Sequence, residues 1–223
     1  MRIAVLSLGG SLIIPDKVDY NFLKNFKKSI SKFKNLKFVI VTGGGKIARM
    51  YIDPLRREGL SEERACLVGI KATKLNAFFL SNFLNANKLI PDSVKEVENA
   101  LKKNKVVVCG ALGYQPNMTS DGNAAELAKY FKTELINMTN VKGLYDKDPR
   151  KFKDARLIKE ISFDGFWKVA SRIKFKAGQH FVLDQSAAKI IRKSKIKTFI
   201  IGQNLKNFEN LLKKKKFVGS VIY

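Results

Sequence analysis

The chain has 223 residues, 45% of them hydrophobic, which is enough for one sizeable α/β domain or two small halves that share a sheet. No apolar run is long enough to span a membrane, and Met1–Leu8 is too short for a signal peptide, so we expect neither segment. Lys and Arg outnumber Asp and Glu by 43 to 19, which gives a formal net charge of +24.

The positive charge has three possible sources. Positive residues are spread from Arg2 to Lys216, and Lys213–Lys216 is the one compact run. A dedicated nucleic-acid binder more often concentrates its charge on one stripe, interleaved with exposed aromatic residues. We therefore rank a general lysine bias first, attraction of small anions second and nucleic-acid binding third.

Cysteine and histidine usage limits the chemistry further. Cys66 and Cys109 lack the spacing of a metal or redox pair, so we expect reduced thiols in a cytoplasmic protein. His180 is the one histidine of the sequence, which excludes a His-rich metal site and disfavours a triad hydrolase. We expect no metal site built from protein side chains alone.

Apolar runs and helix-like patterns alternate along the chain. The predicted strands are Arg2–Leu8, Phe38–Val41, Lys105–Cys109, Glu134–Met138, Lys197–Ile201 and, at an edge of the sheet, Val218–Ile222. The predicted helices are Asp19–Lys34, a helix from the glycine turn to about Arg57, Ser61 to about Asn85, Ser93–Lys103, Asp121–Phe131, Ser162–Ala170, Ser186–Ser194 and Asn207–Lys215. This alternation predicts a mostly parallel sheet flanked by helices.

The segment Phe38–Tyr51 is central to this arrangement. It reads FVIVTGGGKIARMY, which predicts a buried strand, a turn of three glycines and the start of a helix. Such a turn presents unpaired N–H groups and the positive end of the helix dipole, and Lys46 and Arg49 add full positive charge. The alternative is a purely structural turn. Three glycines cost more chain entropy than a turn requires, so we favour a phosphate-binding site.

Further loops of this kind follow other predicted strands. Glycine loops begin at Gly9, Gly43 and Gly110, and the polar segment Thr139–Asp148 follows a strand as well. Ligands of parallel α/β sheets bind outside the carboxyl ends of the strands, so we expect these loops to gather along one edge. We treat the chain as a single domain whose halves, about 1–120 and about 121–223, divide softly near Asp121–Thr133.

The gathered loops favour phosphoryl transfer. They supply backbone N–H groups, basic side chains and hydroxyls but no evident activated nucleophile, and phosphoryl transfer depends mainly on positioning and charge neutralisation. Neither a Walker A sequence nor the glycine-rich loop of protein kinases is present.

Six sequence segments occur together in a specific order. They read LSLGGS, TGGGKIARMY, GYQPNMTSD followed by AA, TNVKGLYDKDPRK, KAG and LDQSAAKII. In this combination, which spans essentially the whole chain, the sequence resembles the uridylate (UMP) kinases of the amino acid kinase superfamily, archaeal branch. The resemblance implies a three-layer αβα sandwich around a mainly parallel sheet of about eight strands. It also implies the reaction ATP + UMP → ADP + UDP with Mg²⁺, and a hexameric homo-oligomer.

The resemblance further implies roles for individual residues. The first half would hold UMP through Gly44, Cys66, Gly113, Tyr114, Gln115, Pro116, Asn117, Met118 and Thr119. The second half and the first glycine loops would hold ATP through Gly9, Gly10, Ser11, Gly45, Arg49, Thr139, Asn140, Tyr145, Asp148 and Lys189. A core tyrosine is the alternative for Tyr145, and a solvated helix lysine is the alternative for Lys189.

Three residues are assigned to catalysis. Arg49 is the first choice for the cation that stabilises the transferred charge, because a guanidinium matches phosphate oxygens in shape. Lys46 would add charge beside it. Asp121 resembles the acid that orients the catalytic cations, and its alternative role is a helix N-cap.

The chain departs from the family pattern in four notable ways. The glycine pair after the Val106–Cys109 strand is split by Ala111-Leu112, which predicts a longer uracil loop. Ser7 stands where the family often has Lys or Asp, so other cations would have to neutralise the phosphates. Cys66 stands where an Asp grips the ribose of the acceptor, which endangers the affinity or specificity for UMP. Lys142 replaces an Asp in the Asn-Val-Asp-Gly turn. Asn117 replaces a glycine, and this change is mild because Asn tolerates left-handed backbone.

Two other functions remain open beside a UMP kinase. One is a kinase of another small phosphate or acid, such as isopentenyl phosphate, although the sole histidine lies in the second half and not in the predicted acceptor site. The other is a catalytically weak relative that binds nucleotides or nucleic acid. For the first function we expect a cytoplasmic homo-oligomer that binds UMP and ATP, without a membrane and without nucleic acid.

Overall fold

The structure is a computed structural model that describes residues 1–172 and 183–223. The strands are β1 (Arg2–Leu8), β2 (Leu36–Thr42), β3 (Val106–Cys109), β4 (Leu135–Met138), β5 (Leu144–Tyr145), β6 (Leu157–Ile158), β7 (Glu160–Ile161), β8 (Thr198–Ile201) and β9 (Ser220–Ile222). The helices are α1 (Gly10–Ile13), α2 (Tyr20–Ser31), α3 (Gly45–Arg57), α4 (Glu62–Leu84), α5 (Val94–Lys103), α6 (Ser120–Tyr130), α7 (Phe163–Ala170), α8 (Gln185–Ser194) and α9 (Leu205–Leu212). The KAG segment and His180 lie outside the described residues.

Within residues 1–172 and 183–223, the central sheet has seven strands in the order β3-β2-β1-β4-β8-β9-β7. The first five strands run parallel, whereas β9 is antiparallel to β8. The predicted position of the last strand at an edge is wrong. Strand β7 pairs with β9 on its outer side, Glu160 opposite Val221 and Ile161 opposite Ile222, and takes the edge position instead.

Alternate residues of the buried strands point to opposite faces of the sheet, and each face carries its own core. Val5 and Val39 pack on one face with helices α5 to α8, whereas Leu6 and Ile40 pack on the other face with α1, α2, α4 and α9. The three-layer sandwich predicted from the sequence is therefore confirmed. Helix α3 packs on α4 in a small separate cluster that contains Ala48, Ile52, Ala65 and Ala72.

The predicted helix and strand positions agree with the structure to within a few residues, but several short elements were not predicted. These are α1, the two-stranded hairpin of β5 and β6, and the edge strand β7. Each has two to four residues, which is too short to show a hydrophobic period in the sequence. Among the described residues, no helix is long and apolar enough to cross a membrane.

Candidate active site

The order of the strands reverses at β1. Strands β2 and β3 follow each other on one side of β1, and β4 and β8 follow on the other. Ligands of open α/β sheets bind at such a switch point, outside the carboxyl ends of the strands. The structure has a cavity of about 460 Å³ at this place, lined by Ser7 and Gly9 at the end of β1 and by Met138 and Thr139 at the end of β4.

The cavity brings together most of the residues that the sequence assigns to a site. Those that line it are Gly9, Gly10, Ser11, Gly44, Gly45, Arg49, Cys66, Met118, Thr119, Asp121, Thr139, Asn140, Tyr145 and Asp148. Residues from both predicted halves therefore meet in one crevice, as the parallel topology predicts. Their individual roles stay predictions.

The first two glycine loops are packed directly against each other. A Cβ atom added at Gly10 would lie 2.5 Å from the backbone nitrogen of Gly45, and Gly45 itself has a left-handed φ of +58°. The backbone amide of Gly9 also donates to the carbonyl of Met138 at 3.0 Å. Glycine is needed here because side chains would push the loops apart. The loops can therefore present their amides to a shared ligand.

Helix α3 begins where these loops meet. Its N-cap residue is Gly44, and no side chain caps the first turn. The amides of this turn consequently remain available at the positive end of the helix dipole, which favours an anion such as a phosphate. Ala48 and Arg49 of the same helix line the cavity.

Arg49 is half-buried in the cavity wall. Burial lowers the pKa of its guanidinium, the Asp53 carboxylate opposes this shift, and the positive charge of Arg150 adds to it. The group remains charged at neutral pH because an arginine in a protein does not lose its proton. Partial loss of water strengthens its attraction for an anionic ligand.

A hydrogen-bonded cluster lies at the floor of the cavity, below the glycine loops. The Ser7 hydroxyl donates to Oδ1 of Asp121 at 2.5 Å, and Nδ2 of Asn137 donates to the same oxygen at 3.1 Å. Burial and, next, the negative charge of Asp184 raise the pKa of Asp121 to about 7, while the two hydrogen bonds act in the opposite direction. Asp121 is not the N-cap of α6, because the Thr119 side chain occupies that role and accepts from the amide of Gly122.

Asn137 suggests how a cation could be held. Only 3% of the residue is exposed. Among the described residues its Oδ1 is the one buried side-chain nitrogen or oxygen atom without a hydrogen-bond partner. Amide and carboxylate oxygens suit Mg²⁺, and the Asp121 carboxyl accepts a hydrogen bond from Nδ2 of the same Asn137 side chain. The described residues contain no group of three or more His, Cys, Asp or Glu side chains that could hold a metal ion. A magnesium ion would consequently need phosphate oxygens and water to complete its shell.

Asp184 is a residue of the site that sequence reasoning missed. It is 4% exposed and lines the cavity. Its carboxylate accepts from the Thr119 hydroxyl, from the Ser186 hydroxyl at 2.6 Å and from the amide of Ala187 at 3.1 Å, and so caps α8. An Asp just before a helix pattern is a recognisable N-cap signal. Its link to Thr119, 65 residues away, required the tertiary structure.

The hairpin β5–β6 places a further acidic residue, Asp148, in the cavity. Asp148 lies in the loop between the two strands, and its two carboxylate oxygens accept from Nε and Nη2 of Arg150, each at 2.9 Å. The Arg150 amide adds a bond of 3.0 Å. These bonds lower the pKa of Asp148 to about 2, so it is ionised at neutral pH.

The structure does not bring every predicted site residue into the cavity. Lys46 is turned to Asp16, whose carboxylate it binds at 2.5 Å, and it is not among the residues that line the cavity. Lys189 is exposed and also absent from the lining, as expected of a solvated helix lysine. The predicted uracil-binding loop lines the cavity only with its last part, Met118 and Thr119. The residues of its first part that do not line the cavity are Gly113, Tyr114, Gln115, Pro116 and Asn117.

Two departures from the family pattern can be placed. Cys66 lines the cavity from α4, and burial followed by the negative charge of Glu62 raises the pKa of its thiol. A neutral thiol is a weak hydrogen-bond acceptor, and the effect of Cys66 on ribose binding stays a prediction. Asn117 has a left-handed φ of 59°, which confirms that it occupies a backbone conformation typical of glycine.

Comparisons with known proteins agree with this fold and cavity. The model of the amino acid kinase family matches residues 2–202, and the chain therefore belongs to this family. A uridylate kinase of Thermoplasma volcanium is 39% identical over 98% of this chain and 96% of its own length. A uridylate kinase of Archaeoglobus fulgidus is 41% identical over 98% of each chain. The crystal structure of uridylate kinase from Archaeoglobus fulgidus covers all of both chains with a TM-score of 0.84 and 37% identity.

Proposed function

We propose that this protein is a UMP kinase, which transfers the γ-phosphoryl group of ATP to UMP and releases ADP and UDP. The observation that carries the proposal is the contact between the Gly9–Gly10 loop and the N-terminus of α3 at the switch point of the sheet. Two phosphate-binding backbone segments that touch can hold a donor and an acceptor phosphate in line. The uridylate kinase relatives support the choice of UMP as acceptor.

In this reaction the chain mainly orients and neutralises phosphates. The amides at the start of α3 bind the acceptor phosphate, and the loop of Gly9 and Gly10 binds the γ-phosphate of ATP. Arg49 lies on the first turns of α3 and stabilises the charge that develops during transfer. Asp121 and Oδ1 of Asn137, which has no hydrogen-bond partner among the described residues, would hold the cation that accompanies the phosphates.

Magnesium is part of the proposal. Mg²⁺ bound at Asp121 and Asn137 would supply positive charge that neutralises part of the phosphate charge of ATP. Asp121 and Asn137 are the residues that would contact this ion or its water. Their oxygen atoms are the type of ligand that a hard divalent cation prefers.

We also infer a homo-oligomer, with a hexamer as the form implied by the family resemblance. The exposed face of α4 supports an interface, since Leu67, Leu75 and Phe78 are 45%, 57% and 54% exposed. These residues are spaced eight and three apart, which places them on one side of a helix. The free thiols of Cys66 and Cys109 are consistent with the cytoplasmic location that we propose.

The proposed reaction is tested by measuring ADP release from ATP and Mg²⁺ with UMP, CMP, dUMP and isopentenyl phosphate as acceptors. We expect turnover with UMP and much slower turnover with the others. Preferential turnover of isopentenyl phosphate would identify a kinase of another small phosphate. No turnover with any acceptor, together with RNA binding that weakens steeply with salt, would identify the binding protein instead.

A further inference from the structure

The positive charge inside the cavity is limited. Among the described residues, three of those that line it carry a positive charge, namely Arg49, Lys147 and Arg150. Ser7, at the position where the resemblance leads one to expect Lys or Asp, is neutral and donates its hydroxyl to Asp121. Two nucleotides bring several negative charges into this space, so each available cation matters.

Lys147 is already engaged away from the cavity. Its ammonium binds the Asp154 carboxylate at 2.5 Å and lies 5.5 Å from the centre of the Phe152 ring. Neither partner lines the cavity, and 77% of the Asp154 side chain is exposed. This leaves the two arginines as the cations available to phosphate groups.

Arg150 is held in a fixed orientation by its neighbours. Asp148 accepts from Nε and Nη2 of the guanidinium in a bidentate arrangement. An arginine has further N–H donors, so those on Nη1 stay available to an incoming oxygen. The base of the hairpin is pinned as well, because Asp146 and Arg156 exchange two hydrogen bonds of 3.2 and 2.8 Å.

The two arginines come from different parts of the chain but act on the same space. Arg49 is on α3 after β2, and Arg150 is in the β5–β6 loop after β4. Their charges are close enough that Arg150 contributes to the lowered pKa of Arg49. Two like charges that face one cavity repel each other, and an anion between them removes this repulsion.

We propose that Arg150 is the second cation that binds the ATP phosphates, and that Asp148 orients its guanidinium for this purpose. This inference rests on the proposed function in one respect, the use of ATP as donor. It assigns to a loop arginine the charge that Ser7 does not supply. It also replaces Lys46 and Lys189, neither of which lines the cavity, as the partner of Arg49.

One alternative role for Arg150 must be separated from phosphate binding. The Asp148 carboxylate would repel ATP, and Arg150 could act only by masking that negative charge. The two roles differ when Asp148 is neutral. A masking residue becomes superfluous in the Asp148→Asn protein, whereas a phosphate ligand does not.

The test is calorimetric binding of ATP and of adenosine, without acceptor, to wild type, Arg150→Gln, Asp148→Asn and the double variant. We expect Arg150→Gln to weaken ATP binding about 10-fold to 100-fold when Asp148 is present and to leave adenosine binding unchanged. In the Asp148→Asn background the loss of ATP affinity should be smaller but still measurable, because the guanidinium is then less well oriented. Arg150→Lys should recover part of the loss. Arg192→Gln, which removes a comparable ion pair with Asp164 outside the cavity, serves as the matched control.

Several results would overturn the inference. Unchanged ATP affinity in Arg150→Gln, equal loss of ATP and adenosine affinity, or a loss that disappears in the Asp148→Asn background would each do so. A wild-type protein that binds ATP but does not phosphorylate UMP contradicts the proposed function alone. A wild-type protein that fails to bind ATP contradicts both.

Discussion

Ser7 donates a hydrogen bond of 2.5 Å to Asp121, a residue 114 positions away in the sequence. This bond joins the end of β1 to the first turn of α6 and so crosses the soft boundary between the two predicted halves. It also stabilises the ionised form of a carboxyl group whose burial favours the neutral form. The charge of the Asp121 carboxyl, at the floor of the cavity, therefore depends on Ser7, a residue of the other predicted half.

The first prediction concerns stability and pH. The pKa of Asp121 is raised from 3.8 to about 7, so its contribution to stability is complete below about pH 4 and is lost as the pH rises through 7. Asp121→Asn cannot ionise. We expect it to be more stable than wild type at pH 8 by about 1–3 kcal/mol and similar at pH 4.5.

Urea unfolding of both proteins at the two pH values measures this difference. Asp164→Asn is a useful control, because the exposed Asp164 has a pKa lowered by its hydrogen bond with Arg192 and should not show a gain at pH 8. If Asp121→Asn and wild type lose stability in parallel between pH 4.5 and 8, then Asp121 is not protonated in the folded protein at low pH.

The second prediction concerns Arg49. Arg49→Ala removes the guanidinium next to the start of α3, and we expect kcat to fall by about 10²–10³-fold because a donor that stabilises the transition state is lost. Arg49→Lys should retain part of the rate. Steady-state ADP release measures both. Arg57→Ala, an exposed arginine at the end of the same helix, should keep the wild-type rate, and an equally active Arg49→Ala protein would refute the assigned role.

The third prediction concerns recognition of the acceptor. We expect Cys66→Asp to lower the KM for UMP by about 10-fold or more, because a charged hydrogen bond to ribose contributes roughly 1.5–3 kcal/mol. Cys66→Ser is the size-matched neutral control. The same comparison with dUMP shows which hydroxyl is involved. A KM that does not change in Cys66→Asp would mean that the ribose is held elsewhere.

The fourth prediction concerns the contact between the glycine loops. A Cβ at Gly10 would lie within 3 Å of backbone atoms of Gly45, and these atoms cannot yield as a flexible side chain would. We expect Gly10→Ala to lower the free energy of unfolding by about 2–4 kcal/mol and to reduce turnover. A Cβ at Gly59 would face open space, but this residue has a φ of +70°. Gly59→Ala should therefore lower the free energy of unfolding by about 1–2 kcal/mol and remain active.

Thermal unfolding and ADP release, measured on both variants, distinguish these outcomes. A Gly10→Ala protein that keeps wild-type stability and turnover would show that the two loops are not held in contact.

The fifth prediction concerns the exposed apolar face of α4. Phe78→Glu places a charge on this face, and we expect it to convert the oligomer into smaller species in light scattering after size-exclusion chromatography. Leu89→Glu changes an even more exposed residue, 86% accessible, that lies outside α4, and should leave the assembly intact. Identical masses for wild type and Phe78→Glu would move the interface away from α4.

Much of the fold follows from short-range information. The apolar runs at β1, β2 and β8 and the 3.6-residue patterns of α2, α5 and α8 specify strands and helices locally, because each buries one face or both faces of the element. The glycine-rich turn before α3 likewise signals a phosphate-binding site through its backbone. The alternation of elements then predicts a parallel sheet and the edge at which its loops gather.

Other features were decided only by tertiary packing. Whether a lysine side chain faces a cavity or an acidic residue at the surface depends on the loop that lies opposite it. Lys46, for example, binds Asp16 and does not face the cavity. The link from Thr119 to Asp184 and the place of β9 inside the sheet depend on partners that are distant in sequence. The sequence by itself determined the longer elements and the glycine-rich turns, whose causes are local. The structure decided which charges share the cavity, because that depends on how separate loops pack.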